Sequence, residues 1–96
     1  MDDAVRIAFE SGLPYTGLRD FAADPRLWRY LPLGIAQAER IVPVVLVGDV
    51  LTVAAARPDP DLSHLRTHFP HLEVAVVIAP AGDIDTVLLR AQGIEP

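Results

Sequence analysis

The chain has 96 residues, of which 51% are hydrophobic and 22% charged, and it carries a formal net charge of -5. That length reads as one domain over residues 1–96 with a modest core and no room for a second, in a composition far from that of disordered chains. Negative net charge opposes a phosphate backbone, and the basic residues, all arginines (6, 19, 26, 29, 40, 57, 66 and 90), form no run, so nucleic acid is not an expected partner.

Without cysteine there is neither a disulfide framework nor a thiolate metal site, which fits a reducing compartment. The N-terminus, MDDAVRIAFESG, lacks a basic region followed by an apolar stretch and does not read as a signal peptide. The longest apolar run, Val42 to Val47, is far shorter than the roughly 20 residues that span a bilayer. A soluble cytoplasmic domain is the expectation.

In chain order, Asp2 and Asp3 favour a helix start, and Val5, Ala8 and Phe9 recur at helical spacing until Gly12-Leu13-Pro14 stops it. Leu13 to Phe21 has no sustained period and reads as an extended connector. Asp24-Pro25 supplies a cap and a proline at the first helical position, opening a helix with Leu27, Trp28 and Leu31 inward until Pro32. A short helical piece, Gly34 to Glu39, follows. Ile41 to Ala56 is two apolar runs around Gly48-Asp49, where glycine provides the positive φ of a two-residue type II′ hairpin turn. Pro43 falls near the start of the first strand, where a missing ladder donor is tolerated. Both runs are apolar on both faces and predict a sheet covered on both sides.

Arg57-Pro58-Asp59-Pro60 ends the hairpin. Asp61 caps a helix with Leu62, Leu65 and Phe69 on one face, ended by Pro70. Leu72 to Ala79 is a third strand. Ala81 to Gln92 is a last helix with Ile84, Val87, Leu88 and Ala91 on one stripe, Gly93 just past its end, and Ile94 to Pro96 as a tail. The order αααββαβα predicts an α+β fold, an α/β sandwich. Its small three-stranded mixed sheet has a hairpin and one right-handed crossover, with the helices packed on it.

Candidate chemistry is sparse. Asp61, His64, His68 and His71 form D-x-x-H-x-x-x-H-x-x-H, in which i and i+4 histidines on a helix can share a transition metal. Pro70 disfavours helical geometry at Phe69, which puts His71 past the helix end, so the histidines read as an exposed face and a polar turn, and no metal site is assigned. Asp61 and Asp83 read as helix N-terminal residues that satisfy free amides rather than as paired acids. Ser11 and Ser63 lack a nucleophile elbow, so no catalytic residue is assigned and no enzyme is expected. Trp28 reads as core, whereas Arg26, Arg29 and Tyr30, together with Arg6 and Tyr15, are the candidate partner-binding residues, since Tyr and Arg dominate interface hot spots.

Several landmarks in this order resemble a known family: Gly12-Leu13-Pro14-Tyr15, Asp24-Pro25 with Leu31-Pro32, Val42-Pro43-Val44, Gly48, Leu51-Thr52-Val53-Ala54-Ala55, and Arg57-Pro58-Asp59 before the final amphipathic helix. Over residues 7 to 92 the chain resembles the N-terminal domain of type II secretion and type IV pilus assembly ATPases, the MshEN-like domain also found attached to bacterial glycosyltransferases. The resemblance implies a non-catalytic, regulatory domain. It would dock a cytoplasmic machine or membrane glycosyltransferase to a protein partner, placing it at the inner face of the membrane through that partner, without a cofactor. No G-x-x-x-x-G-K-[ST] phosphate loop is present, and a chain without lysine cannot form one. In cyclic di-GMP-binding members of the resembled family the ligand sits on tandem motifs with Arg-Leu-Gly, upstream of the Gly-Leu-Pro-Tyr segment. This chain has no Arg-Leu-Gly, and Arg6 is at best a remnant, so cyclic di-GMP is not the expected ligand. The alternative is a cyclic di-GMP-responsive sensor domain with a degenerate motif.

Overall fold

In a computed structural model of the protein, residues 3–18, 21 and 24–92 are described. Asp2, Gly93 and the tail Ile94 to Pro96, to which the sequence assigns a helix start, a helix stop and a tail, lie outside the described residues. Along the described chain, α1 (Asp3–Ser11), a 3-10 helix (Pro25–Arg29) and α2 (Leu33–Glu39) precede the hairpin β1 (Ile41–Val47) and β2 (Val50–Ala55). Then come α3 (Ser63–His68), β3 (Glu73–Ile78) and α4 (Ala81–Ala91). The predicted α+β class and element order stand, with boundaries shifted by a residue or two.

The Gly48-Asp49 turn forms where the sequence places it: Val47 pairs with Val50, and Gly48 has φ +60. A residue with a side chain is strained at that φ. Pro43 cannot donate to the ladder, and the register slips between Pro43 and Val45, leaving Val44 as a bulge. After α3 the chain returns so that β3 lies parallel to β2, from Val50 opposite Glu73 to Ala55 opposite Ile78. The sheet order is therefore β1-β2-β3, with β2 in the middle.

The predicted connector closes part of the β3 edge. Ile78 N–H donates to Pro14 O at 2.8 Å, and Thr16 N–H donates to Ile78 O at 2.8 Å, so Tyr15 forms a parallel bridge to Ile78. Leu18 N–H donates to the Asp83 carboxylate at 3.0 Å, tying the connector to the first turn of α4. Asp83 thus satisfies an amide 65 residues away in sequence as well as standing at a helix start.

Leu27, Leu31, Ala36, Ile41, Val42, Leu51, Val53, Leu65, Ile84, Val87 and Leu88 form one core, on which Trp28 packs half-buried. Ala4, Ala8 and Ile78 form a smaller cluster where α1 meets β3. Two details depart from the sequence expectation. On α1 the buried stripe is Ala4 and Ala8, while Val5 is 45% and Phe9 87% exposed, because small alanines allow the helix to approach β3 closely. The hairpin is not covered on both sides throughout: Val45 and Val47 are 44% and 69% exposed, whereas Ile41, Val42 and Pro43 at the other end of β1 are buried. Ala91 of the predicted α4 stripe is likewise exposed.

Ion pairs among the described residues lie at helix ends. Arg40 adopts the left-handed φ of 54 at the α2 C-cap, and its guanidinium grips Asp85 of α4 at 2.7 and 3.2 Å. Arg57 reaches Glu39 at 3.2 Å. On α1, Arg6 lies 3.5 Å from Asp3.

Leu51 is fully buried on the central strand. Replacing it with alanine is expected to cost about 2–5 kcal/mol in urea denaturation; a loss under about 0.5 kcal/mol, the range of an ordinary surface change, would contradict its place in the core.

Candidate functional site

The sequence Asp24-Pro25-Arg26 builds its own turn. Extended at φ -67 and ψ 119, Asp24 accepts a hydrogen bond from Arg26 N–H at 3.0 Å, while Pro25 occupies the first helical position, where no amide proton is needed. The 3-10 helix that follows packs on β1, the sheet edge opposite the one occupied by Tyr15. Its tight period places Leu27 in the core and turns Arg26, Arg29 and Tyr30 toward a groove of about 450 Å³, whose other wall is Val44, Val45 and Leu46. The β1 bulge at Val44 breaks the strand's alternation along this wall.

Asp24 also takes the fork of Arg26, with Nε at 3.1 Å from Oδ1 and Nη2 at 2.9 Å from Oδ2. Arg29, exposed at the groove rim, makes no hydrogen bond or ion pair with a described residue. Tyr30 is fixed edge-on against Phe69, ring centroids 5.0 Å apart at 64°. The result is one guanidinium without a partner among the described residues, a second held by a carboxylate, and an aromatic ring above an aliphatic floor. That set suits a ligand with an anionic group and a flat ring: a guanidinium bonds phosphate oxygens bidentately and stacks on aromatic planes.

The five predicted binding residues fall into two sets. Arg26, Arg29 and Tyr30 meet at the β1 groove. Arg6 and Tyr15 sit at the other side of the sheet, Arg6 paired with Asp3 on α1 and Tyr15 bridged to β3. Missing from the prediction are Asp24 as the carboxylate that occupies Arg26, and Val44 to Leu46 as the groove's wall. The Asp24-Pro25-Arg26 order carried the first signal, because an aspartate capping a short turn stands within reach of an arginine two residues on. Pro43 carried the second, since a proline inside a strand calls for a bulge or an edge. Among the described residues no group of at least three His, Cys, Asp or Glu converges as a metal centre.

Hydrogen bonds from the Arg26 side chain, and then from its backbone amide, hold the Asp24 carboxyl below its ordinary value of 3.8. Those from the Ser63 hydroxyl and amide do the same for Asp61. A depressed value means that the stabilisation is fully present above the unfolded-state value and is lost as pH falls below 3.8 through the folded-state value. Carboxyl NMR titration is expected to give a midpoint below 3.8 for Asp24; a midpoint at or above 3.8 would show the fork to be absent in solution.

With this geometry in hand, the relatives of the chain can be placed. The MshEN domain family model matches residues 11–96, and the chain belongs to that family, in agreement with its resemblance to the N-terminal domain of type II secretion and pilus ATPases. Among solved structures, the chain is similar to that titled "Structure of MshE with cdg" (cdg, cyclic di-GMP), at 25% identity and a TM-score of 0.69. The match covers 88% of this chain and 62% of that one, so the chain spans less than two thirds of its structural relative. No curated protein matches the sequence. Two expectations are thereby corrected. Docking to a protein partner as the main role, and cyclic di-GMP as an unlikely ligand, are both contradicted, and the alternative is favoured, because the matched relative was solved with that dinucleotide. That expectation weighs the missing Arg-Leu-Gly above the shared fold.

Proposed function

We propose that this MshEN domain is a cyclic di-GMP-responsive sensor with a degenerate motif, a cytoplasmic binding domain that holds the dinucleotide without transforming it. The observation that carries the reading is the likeness, over 88% of the chain, to MshE solved with cdg. The β1 groove supplies compatible chemistry. Cyclic di-GMP offers two anionic phosphodiesters and two guanine planes; Arg29, unpaired among the described residues, offers a guanidinium for an anion, and Tyr30 with the apolar wall of Val44 and Leu46 offers surface for a base. The net charge of -5 disfavours indiscriminate binding of polyanions, so recognition rests on local groups rather than on the field of the whole domain.

Isothermal calorimetry with cyclic di-GMP tests the reading. The expected outcome is saturable binding in the micromolar range, about -8 kcal/mol. Arg29→Ala is expected to weaken it by about 1.5–3 kcal/mol, the contribution of hydrogen bonds to a charged group. Absence of binding up to millimolar ligand would end the sensor reading, while full binding by Arg29→Ala would remove the groove from it.

A further inference from the structure

Independently of the dinucleotide, α3 presents a second chemical feature. His64 and His68 stand one turn apart, at i and i+4, and their rings lie beside one another, tilted by 41°, with centroids 4.5 Å apart. His68 is exposed and His64 half-buried, so solvent ions reach the pair. His71 does not join it: the helix ends at Phe69, whose φ of -133 is extended, and His71 instead stands edge-on to the Phe69 ring at 6.4 Å. Asp61 is occupied as well, its carboxylate accepting from the Ser63 amide and hydroxyl.

Two imidazole nitrogens bound to one ion each lie roughly 2.0–2.1 Å from it, so they must come within about 4 Å of each other, a separation comparable to the 4.5 Å between these ring centroids. No third His, Cys, Asp or Glu among the described residues completes the shell. A closed structural zinc site is therefore excluded there; the arrangement fits ions that accept two imidazoles in adjacent positions and keep water in the rest. Imidazole suits nickel, copper and zinc, whereas magnesium and calcium take oxygen ligands.

We propose that His64 and His68 form a two-imidazole binding site for a late first-row divalent transition ion, nickel, copper or zinc, with water filling the remaining positions. Such an ion would join the first and last turns of α3. At six residues, α3 is well below the roughly 12–15 at which an isolated helix is marginal, so its order depends on Leu65 packing in the core and would gain from a bridge across its surface. Because the unfolded chain holds the two rings at no fixed distance, binding favours the folded state and raises the melting temperature with ion concentration.

The test uses the whole chain with nickel chloride as probe and magnesium chloride as control, read by calorimetry and thermal melting. One-to-one saturable nickel binding in the sub-millimolar range and a rising melting temperature are expected, with magnesium producing neither. His64→Ala and His68→Ala each leave a good helix former on α3 and are expected to weaken nickel at least about tenfold. His71→Ala is expected to leave it unchanged. Absence of saturable binding by the unaltered chain, equal binding by the His64→Ala and His68→Ala variants, or an equal loss in His71→Ala would each overturn the assignment. None of these outcomes bears on cyclic di-GMP binding, which is measured without metal.

Discussion

The fold depends on β2. It is hydrogen-bonded on both sides, antiparallel to β1 and parallel to β3, and its Leu51, Val53, Ala54 and Ala55 are completely buried. An antiparallel neighbour needs only a two-residue turn, which Gly48-Asp49 provides, but a parallel neighbour needs a crossover, which is the work of the short α3 segment. Asp49 O accepts from Glu73 N–H at 2.7 Å, continuing the parallel pairing into the turn itself. The hairpin and the crossover therefore support one another, and every helix is placed with respect to this ribbon.

The two edges of so small a sheet then acquire different fates. At β3, the connector residues Pro14 and Thr16 hydrogen-bond Ile78 and α1 lies over it with Ala4 and Ala8, so that edge is partly closed by backbone. At β1, a proline, a bulge and the 3-10 helix leave a groove instead. Edge strands are commonly blunted by such devices. Here the same devices shape a recess whose rim carries Arg29, unpaired among the described residues, and this asymmetry is what separates Arg29 and Tyr30 from Arg6 and Tyr15.

Much of this was legible in the chain because the signals were local. Glycine in the turn, proline after aspartate at the 3-10 start, and Ile84, Val87 and Leu88 on one stripe each dictate backbone or burial within a few residues. What was illegible depended on partners distant in sequence. Helical spacing on α1 could not say whether Ala4 and Ala8 or Val5 and Phe9 would face β3, since the choice follows from how closely the helix approaches the sheet. The Asp83 to Leu18 and Arg40 to Asp85 contacts span 65 and 45 residues and leave no local pattern. The groove combines both kinds: Arg26, Arg29 and Tyr30 were visible as one segment, whereas Val44 to Leu46 joined them only through packing. The expected ligand was set by a missing tripeptide, a local signal, whereas the likeness to MshE rests on the shared scaffold.

The claim that ligand recognition belongs to the β1 side of the sheet can be tested most directly by mapping amide chemical shifts while cyclic di-GMP is added to isotope-labelled protein. The account predicts perturbations concentrated on Asp24 to Tyr30 and Val44 to Leu46, with α1 and Tyr15 undisturbed. Perturbations confined to α1, Tyr15 and the β3 edge would contradict it.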